Sequence, residues 1–402
     1  MTSGPLLRQG LARYRVALGT PDVRPVLAAT FATGLGTGAL TLVLVLLVAE
    51  ETGSFSRAGL VSGAYLLAAG IFGPVRGRLI DRLGPSRVLV GLAAVHGAAL
   101  LVLLVCALGD VGAAGLLVPA AVAGVAAPIV GPALRLLWDD LLGGARDVGY
   151  AIQTVLAEAF LLIGPLVAAA LAGLADPVIA LGVVVAANVG GSLTFAATRA
   201  ARRWRPRPDI VRSGWGALES AGIRTLTVVA LPLGAAVGVI EVAAPAFAGE
   251  RGDAAAGGIG LAALAAGSLL AGLVYGARSW PGAAGTRYVV LVGALAVTLV
   301  PLPLAASLGA LVALMGISGV AWAPIAATSY AVLDDVARPD TVAESVSWIT
   351  AMFVAGMAVG YSGGGALVDA TDASAALWAA PALGALALAL AAARSRTLLG
   401  RD

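Results

Sequence analysis

The chain has 402 residues, of which 60 % are hydrophobic and only 12 % are charged. Because an ordinary soluble domain has about a quarter of its residues charged, this composition excludes a water-soluble globular surface. The net charge of +3 comes from arginine alone among the basic side chains, since the sequence contains no lysine. The single cysteine, Cys106, excludes an intramolecular disulfide and a cysteine-cluster metal site, and we expect no metal.

Residues 1–24 precede the first long apolar run and have no signal-peptide cleavage pattern, so we predict a cytoplasmic tail. Twelve apolar runs follow, each long enough to cross about 30 Å of hydrocarbon as a helix. In the first half they are predicted at 25–49, 58–79, 85–108, 114–138, 149–174 and 177–198. In the second half they are predicted at 225–249, 254–277, 288–306, 308–332, 341–368 and 373–393.

The polar stretch at 199–224 divides the chain into two six-helix bundles, predicted at 25–198 and 225–393, and residues 394–402 form a second tail. If the amino terminus is cytoplasmic, only Arg57 and Arg251 of the arginines lie on the outer side, which is a strong positive-inside bias. We therefore predict a multi-pass protein of the inner (plasma) membrane with both termini cytoplasmic. The basic charge sets topology, and nucleic acid is not an expected partner.

The two halves are related by an internal repeat. The fourth and tenth spans share Gly-Val-Ala, at 124 and 319, and both end in a pair of aspartates. An offset of 200 residues also relates four positions of the first span to the seventh: Arg24, Gly34, Gly38 and Glu50 to Arg224, Gly234, Gly238 and Glu250. A parallel repeat of this kind is typical of carriers whose substrate site lies between the halves.

The segment after the second span reads Gly77-Arg-Leu-Ile-Asp81-Arg82-Leu-Gly84-Pro-Ser-Arg87 and resembles the signature loop of the major facilitator superfamily. The resemblance covers essentially the whole chain. It implies an all-α membrane protein of twelve transmembrane helices in two pseudo-symmetric six-helix bundles. It also implies that this loop, which includes Arg82 and Arg87, gates the cytoplasmic side.

Each residue of the signature has a physical rationale. Gly77 would allow close helix approach, and Gly84 would permit a sharp turn. Asp81 could face the positive amino end of the eleventh helix. That helix is predicted to open with a capping box formed by Thr341 and Glu344. The alternative is that the arginines of this loop only set topology.

The fifth span contains Gly164-Pro165, which is similar to the glycine-proline motif in the fifth helix of superfamily antiporters, most of which are exporters. Alanines stand where two later glycines of that motif fall. Pro165 lacks an amide hydrogen and frees the carbonyl of Leu161, so it predicts a bend. A helix kink with no meaning for the direction of transport explains the same residues.

Glu158 falls near the middle of the fifth span, where an ionisable side chain is costly unless it faces a cavity or a partner. Tyr150, Thr154 and Glu158 are four residues apart and would form one polar stripe. Glu158 is therefore a candidate for proton coupling. Arg135, near the inner end of the fourth span, could orient substrate or could extend to the interface.

Glu241 lies in the seventh span, and Pro245 removes the hydrogen bond to its carbonyl. The seventh helix lines the central cavity in the superfamily, so Glu241 is a candidate for cation binding or proton exchange. Many drug:proton antiporters of the superfamily carry an acid in the first helix, where this chain has Thr41. His96 is expected to be a neutral, packed side chain. Either glutamate could instead only join helices.

These observations predict a secondary transporter that is not an enzyme, most like twelve-helix drug or metabolite:proton antiporters. The leading expectation is proton-coupled efflux of a small amphipathic molecule by alternating access. Its expected partners are the lipid bilayer, the substrate and protons. No cofactor and no nucleotide are expected, because the chain has no phosphate loop. Proton-coupled uptake, a receptor or a channel are the alternatives.

Overall fold

The structure is a computed structural model. It describes residues 15–109, 111–205, 216–278, 280–338 and 341–399. Eight positions inside or beside helices have side chains that lie outside this description, at 113, 144, 146, 147, 154, 158, 161 and 343.

The first half contains six membrane spans, labelled α1 to α6. The fourth consists of two helices, Ala113–Val125 and Val130–Leu142. The others are α1 Val23–Thr52, α2 Phe55–Leu83, α3 Pro85–Leu108, α5 Arg146–Leu174 and α6 Pro177–Ala197. A short helix, Arg199–Arg203, follows α6 and begins the linker.

The second half repeats this arrangement as α7 to α12. Two of its spans are divided, α10 into Leu308–Gly319 and Trp322–Val336, and α12 into Ala373–Leu377 and Ala379–Ala393. The others are α7 Ala221–Gly249, α8 Gly257–Gly276, α9 Ala284–Leu299 and α11 Val342–Ala370. The twelve spans confirm the predicted all-α class.

The structure confirms the fourth and tenth spans, predicted at 114–138 and 308–332, but divides each of them into two helices. Both are interrupted at the shared Gly-Val-Ala tripeptide. Pro128 lies within the first interruption, and Pro324 lies in the first turn of the helix that follows the second. A proline has no amide hydrogen to donate, and the residue before it is pushed out of the helical conformation.

Close helix crossings show the same internal symmetry. Gly38 of α1 lies against the carbonyl of Phe160 on α5, and Gly238 of α7 lies against the carbonyl of Met357 on α11. Without side chains at these glycines, the paired backbones come into direct contact, as small residues allow in membrane helices. The equivalent crossings confirm two pseudo-symmetric bundles.

Twelve alternating spans place the chain's connections on two faces. We call the side with the linker and the turn at Gly84 the linker face, and the other side the opposite face. The halves are joined near the opposite face, where α2 packs against α11 from Phe55 to Gly70. A second contact lies between α5 and α8, where Gly258 meets the carbonyl of Pro165.

Toward the linker face, the two central helices α1 and α7 each keep one face accessible. On α1 this face includes Phe31, which is 40 % exposed, and on α7 it includes Leu231, which is 36 % exposed. The accessible positions extend as far as Thr41 and Glu241, and the residues at 42–48 and 242–248 beyond them are buried. The crevice between the halves therefore opens toward the linker face and is closed at the opposite face.

Candidate functional site

The candidate site lies at the closed end of this crevice and is built around Glu241. The Tyr361 hydroxyl, on α11, donates a hydrogen bond to Oε2 of Glu241 on α7. The Thr41 side chain on α1 interacts with the same phenol. Glu241 is thus connected through one tyrosine to the other half of the protein.

Burial supports this arrangement. Tyr361 is 1 % exposed, whereas Glu241 and Thr41 are partly accessible. A buried tyrosine needs a partner for its hydroxyl, and the carboxylate of Glu241 supplies it. Glu241 is the last partly accessible residue of α7 before the buried segment at 242–248, so it stands at the end of the crevice.

Thr41 and Glu241 occupy equivalent positions in the repeat. They differ by 200 residues, the same offset that relates Gly38 to Gly238. The sequence shows that the first helix lacks an acid, and the structure shows the carboxylate at the corresponding place in α7, touching the same tyrosine as Thr41. The repeat offset was visible in the sequence, but the sequence analysis did not apply it to Thr41.

The crevice is closed at the opposite face by a second polar contact between the halves. Asp369, at the end of α11, accepts hydrogen bonds at the start of α2 from three groups. They are the Ser54 hydroxyl at 2.5 Å, the Phe55 amide at 2.9 Å and the Ser56 amide at 2.9 Å. A carboxylate at a helix amino end satisfies free amides and the positive end of the helix dipole. The sequence analysis missed this latch.

The glycine-proline motif lies where α5 meets both halves. A Cβ on Gly164 would come within 2.8 Å of Cα of Gly38 in α1, so only glycine fits that crossing. The next residue, Pro165, presents its carbonyl to Gly258 of α8 in the other half. The motif is thus part of the contact that closes the opposite face, and it also adjoins α1.

The structure brings Arg135 of the fourth span close to Tyr150, the first residue of the polar stripe predicted on α5. The Arg135 guanidinium lies 5.3 Å from the centre of the Tyr150 ring, within the range of a cation–π interaction. Thr154 and Glu158 continue this side of α5, but their side chains lie outside the described residues. Their predicted roles therefore stay predictions.

The signature segment gives mixed results. Gly84 has φ of 87°, which confirms the sharp turn, and it is the only residue between α2 and α3. Gly77 was predicted to allow close helix approach, which is wrong here, because a Cβ at that position would meet no described atom within 4 Å. The meeting of Asp81 with the start of α11 stays a prediction, and Arg82 and Arg87 lie on either side of the turn.

The predicted capping box at the start of α11 is wrong. The Thr341 hydroxyl donates to the carbonyl of Arg338, and its side chain makes no capping hydrogen bond. Glu344 instead accepts a hydrogen bond at 3.3 Å from the amide of Ala217, at the end of the linker. The linker provides a partner that local sequence spacing could not reveal.

Arg76 is a buried charge that the sequence analysis did not single out. It is 4 % exposed, and its Nη1 donates to the carbonyls of Ala127 at 2.5 Å and Gly124 at 3.2 Å. These carbonyls belong to the interruption of α4, so Arg76 satisfies backbone groups that the broken helix leaves free. His96 is also buried, and its Nδ1 lies 2.8 Å from the carbonyl of Ala123, in agreement with a packed role.

The fold and the site define a membrane transporter built from two six-helix bundles. Residues 26–282 match the family model of the Major Facilitator Superfamily. Because the match spans well over half of the chain, the protein belongs to the Major Facilitator Superfamily.

Solved structures show the same fold at low sequence identity. A nucleoside transporter aligns with a TM-score of 0.75 and 12% identity, and a bacterial homologue of the iron transporter ferroportin in its inward-facing state aligns with 0.74 and 15%. Both alignments cover 93% of this chain and 99% of the other. The human organic anion transporter aligns with 0.60 and 16% identity, over 92% of this chain and 99% of its own. No curated protein matches the sequence.

Proposed function

We propose that this protein is a proton-coupled exporter of small amphipathic cations and that Glu241 is its coupling carboxylate. The observation that carries the proposal is the hydrogen bond from Tyr361 to Glu241, beside Thr41 of the other half, at the closed end of the crevice. A carboxylate in this position can hold either a proton or a cationic substrate, but not both. Because the proton and the substrate exclude each other from this one site, the protein must release one before it binds the other, as exchange of the two requires.

The lining of the crevice supports the amphipathic substrate class. On α1 and α7 the accessible side chains between the carboxylate and the linker face include Phe31, Val228 and Leu231, all apolar. Apolar walls with a single convergent charge are typical of sites that bind an apolar body through contact and a charged group through pairing. A lipophilic cation fits this arrangement.

The arginine distribution supports a cytoplasmic linker face. With that orientation, the crevice in this structure opens to the cytoplasm, the side from which an exporter loads. The similarity of Gly164-Pro165 to the antiporter motif supports the same direction.

The hydrogen bonds suggest how occupancy of Glu241 couples to opening. The carbonyl of Tyr361 lies against Gly59 of α2, within the contact that closes the opposite face. A change at Glu241 therefore acts on a residue that touches both α1 and α2 of the other half. Protonation or cation binding at Glu241 weakens the bond from Tyr361, and the tyrosine can then shift against Thr41 and Gly59, which are its contacts with the other half.

The test uses the purified protein in liposomes with an imposed pH gradient and tetraphenylphosphonium as the probe. We expect probe flux that depends on the gradient and proton movement that depends on the probe. Glu241→Gln should abolish both, because glutamine cannot exchange a proton. Tyr361→Phe should leave the carboxylate but loosen its coupling, so that proton leak without probe increases.

Glu250→Gln is the matched control. Glu250 lies just after the end of α7, the helix that contains Glu241. It accepts a hydrogen bond from the amide of Ala373 at 2.7 Å, away from the crevice. It should retain coupled flux. Unchanged coupling in Glu241→Gln would exclude Glu241, and Glu158→Gln in the same assay would then show whether the carboxylate of α5 carries the coupling.

A further inference from the structure

A basic pocket lies on the linker face of the first bundle, outside the crevice between the halves. It has a volume of about 440 Å³ and is formed by the turn between α2 and α3 together with the start of the linker. Four arginines line it, with Ser86 and Trp204 between them: Arg82, Arg87, Arg202 and Arg205. The four guanidinium groups have no carboxylate partner among the residues that the structure describes.

The pocket has a fixed frame. Trp204 is 8 % exposed and belongs to the packed core of this bundle, and its ring lies 3.4 Å from the position of a Cβ on Gly84. Arg205 folds back so that its Nη1 donates to the carbonyls of Arg202 and Trp204. The Ser86 hydroxyl donates to the carbonyl of Ala196 at 2.8 Å, which ties the start of α3 to the end of α6.

An apolar groove lies along the same two helices. It has a volume of about 490 Å³ and lies between α3 and α6, where its walls include Ala93 and Leu104 of α3 and Leu181 and Gly190 of α6. Its lining is almost wholly apolar. Val183 and Leu101 nearby are exposed on the outer surface of the bundle, as expected for side chains that face lipid.

The two features are aligned along one path. At ~1.5 Å per residue, the groove begins about 9 Å beyond Arg87 and ends about 25 Å beyond it, at Leu104. One leaflet with its headgroups is about half of a 40–45 Å bilayer, which is of similar length. Guanidinium groups pair with phosphate oxygens in a bidentate manner, and basic pockets between helices on the cytoplasmic side bind anionic headgroups.

We infer that the basic pocket and the apolar groove together bind one anionic phospholipid. The four arginines hold its phosphate, and an acyl chain lies between α3 and α6. The lipid joins the signature turn to the start of the linker, which leads from the first bundle to the second half.

The experiment measures lipid binding to the full-length protein by native mass spectrometry in detergent. The probes are phosphatidylglycerol and phosphatidylcholine with the same acyl chains. We expect phosphatidylglycerol to bind about tenfold or more tightly than phosphatidylcholine. Arg202→Gln with Arg205→Gln should remove most of that preference.

The matched control is Arg199→Gln with Arg203→Gln. These residues belong to the short helix that contains Arg202 and carry the same charge as the pocket pair, but they do not line the pocket. The control should change binding by less than about twofold. If the pocket variant and the control lose phosphatidylglycerol binding equally, the effect comes from general surface charge and the inference is overturned. Equal binding of phosphatidylglycerol and phosphatidylcholine would also overturn it.

A final comparison separates a lipid from a soluble phosphate. A Cβ at Gly190 would meet no described atom within 4 Å, so Gly190→Phe can fill the groove without a backbone clash. This variant should weaken phosphatidylglycerol binding while glycerol 3-phosphate remains a poor competitor. If glycerol 3-phosphate displaces the lipid at equal concentration and Gly190→Phe has no effect, the pocket binds soluble phosphate and the lipid assignment is wrong.

Discussion

Replacing Asp369 with alanine is expected to shift the protein toward a conformation open at the opposite face. The carboxylate accepts hydrogen bonds from Ser54, Phe55 and Ser56 across the boundary between the halves. A capping side chain contributes about 0.5–2 kcal/mol, and a charge at a helix amino end about 0.3–1 kcal/mol. Because Asp369 is exposed and its charge is screened by water, we take about 1–2 kcal/mol for the latch.

A loss of this size changes the ratio of the two conformations by a factor of roughly 5–30. The change can be measured by the distance between spin labels across the opposite face. The chain has only one cysteine, so Cys106→Ser gives a clean background. Labels at Val111, between α3 and α4, and at Thr371, after α11, report separation of the halves, and Asp369→Ala should increase the population of long distances.

Asp372→Ala is the control for this measurement. Asp372 lies three residues further along and also caps a helix, since it accepts a hydrogen bond from the Ala375 amide at 2.7 Å. That helix belongs to the same half, so its loss should lower stability without changing the distances. If Asp369→Ala leaves the distance distribution unchanged, or changes it no more than Asp372→Ala, then Asp369 is a local cap and the latch does not exist.

Three further perturbations test the packing and the site. Gly164→Val should disrupt the crossing of α1 and α5, with a cost of about 1–3 kcal/mol, and should lower the yield of folded protein. Arg76→Ala leaves buried carbonyls without a donor, at about 1–3 kcal/mol each, and should lower the thermal unfolding midpoint in detergent by roughly several degrees. Thr41→Glu combined with Glu241→Thr moves the carboxylate to the equivalent position beside the same tyrosine, and it should regain part of the coupled flux that Glu241→Thr alone loses.

Matched variants make each of these results specific. Gly91→Val should be tolerated, since a Cβ there would meet no described atom within 4 Å. Arg78→Ala removes an exposed arginine from the same helix as Arg76 and should leave the midpoint unchanged. A double variant as inactive as Glu241→Thr alone would show that Glu241 depends on surroundings that α1 does not reproduce.

The sequence predicted the fold because membrane helices are dictated by local composition. A run of about twenty apolar residues crosses the bilayer whatever its neighbours are, and arginines mark its ends. The repeat at an offset of 200 residues then predicted the pairing of the halves. The interruptions of α4 and α10 were also within reach, because Pro128 and Pro324 follow the shared tripeptide at both places.

The site could be predicted only in part, because its contacts join residues that are far apart in the chain. Glu241 was identifiable as a costly charge in a span, but its bond from Tyr361 crosses 120 positions. The latch of Ser54 and Asp369 crosses 315 positions. No local spacing indicates such pairs, and for the same reason Glu344 was assigned to its own helix end instead of to the linker.

The two sides of the contact that closes the opposite face share close backbone packing but differ in their polar groups, and both features bear on how it opens. Between α2 and α11 it includes the exposed hydrogen bonds of Asp369, which water can replace on separation. Where α5 meets α8 and the turn before it, the contact includes small residues, with Gly173 beside Ala255 and Gly258 against Pro165. Direct backbone packing has no comparable replacement, because parting it leaves a gap that forfeits close contacts. Because Gly59, Gly63 and Gly365 bring the backbones of α2 and α11 together in the same way, we expect loss of Asp369 to loosen that side, whereas opening of the opposite face still requires backbone contacts to part on both sides.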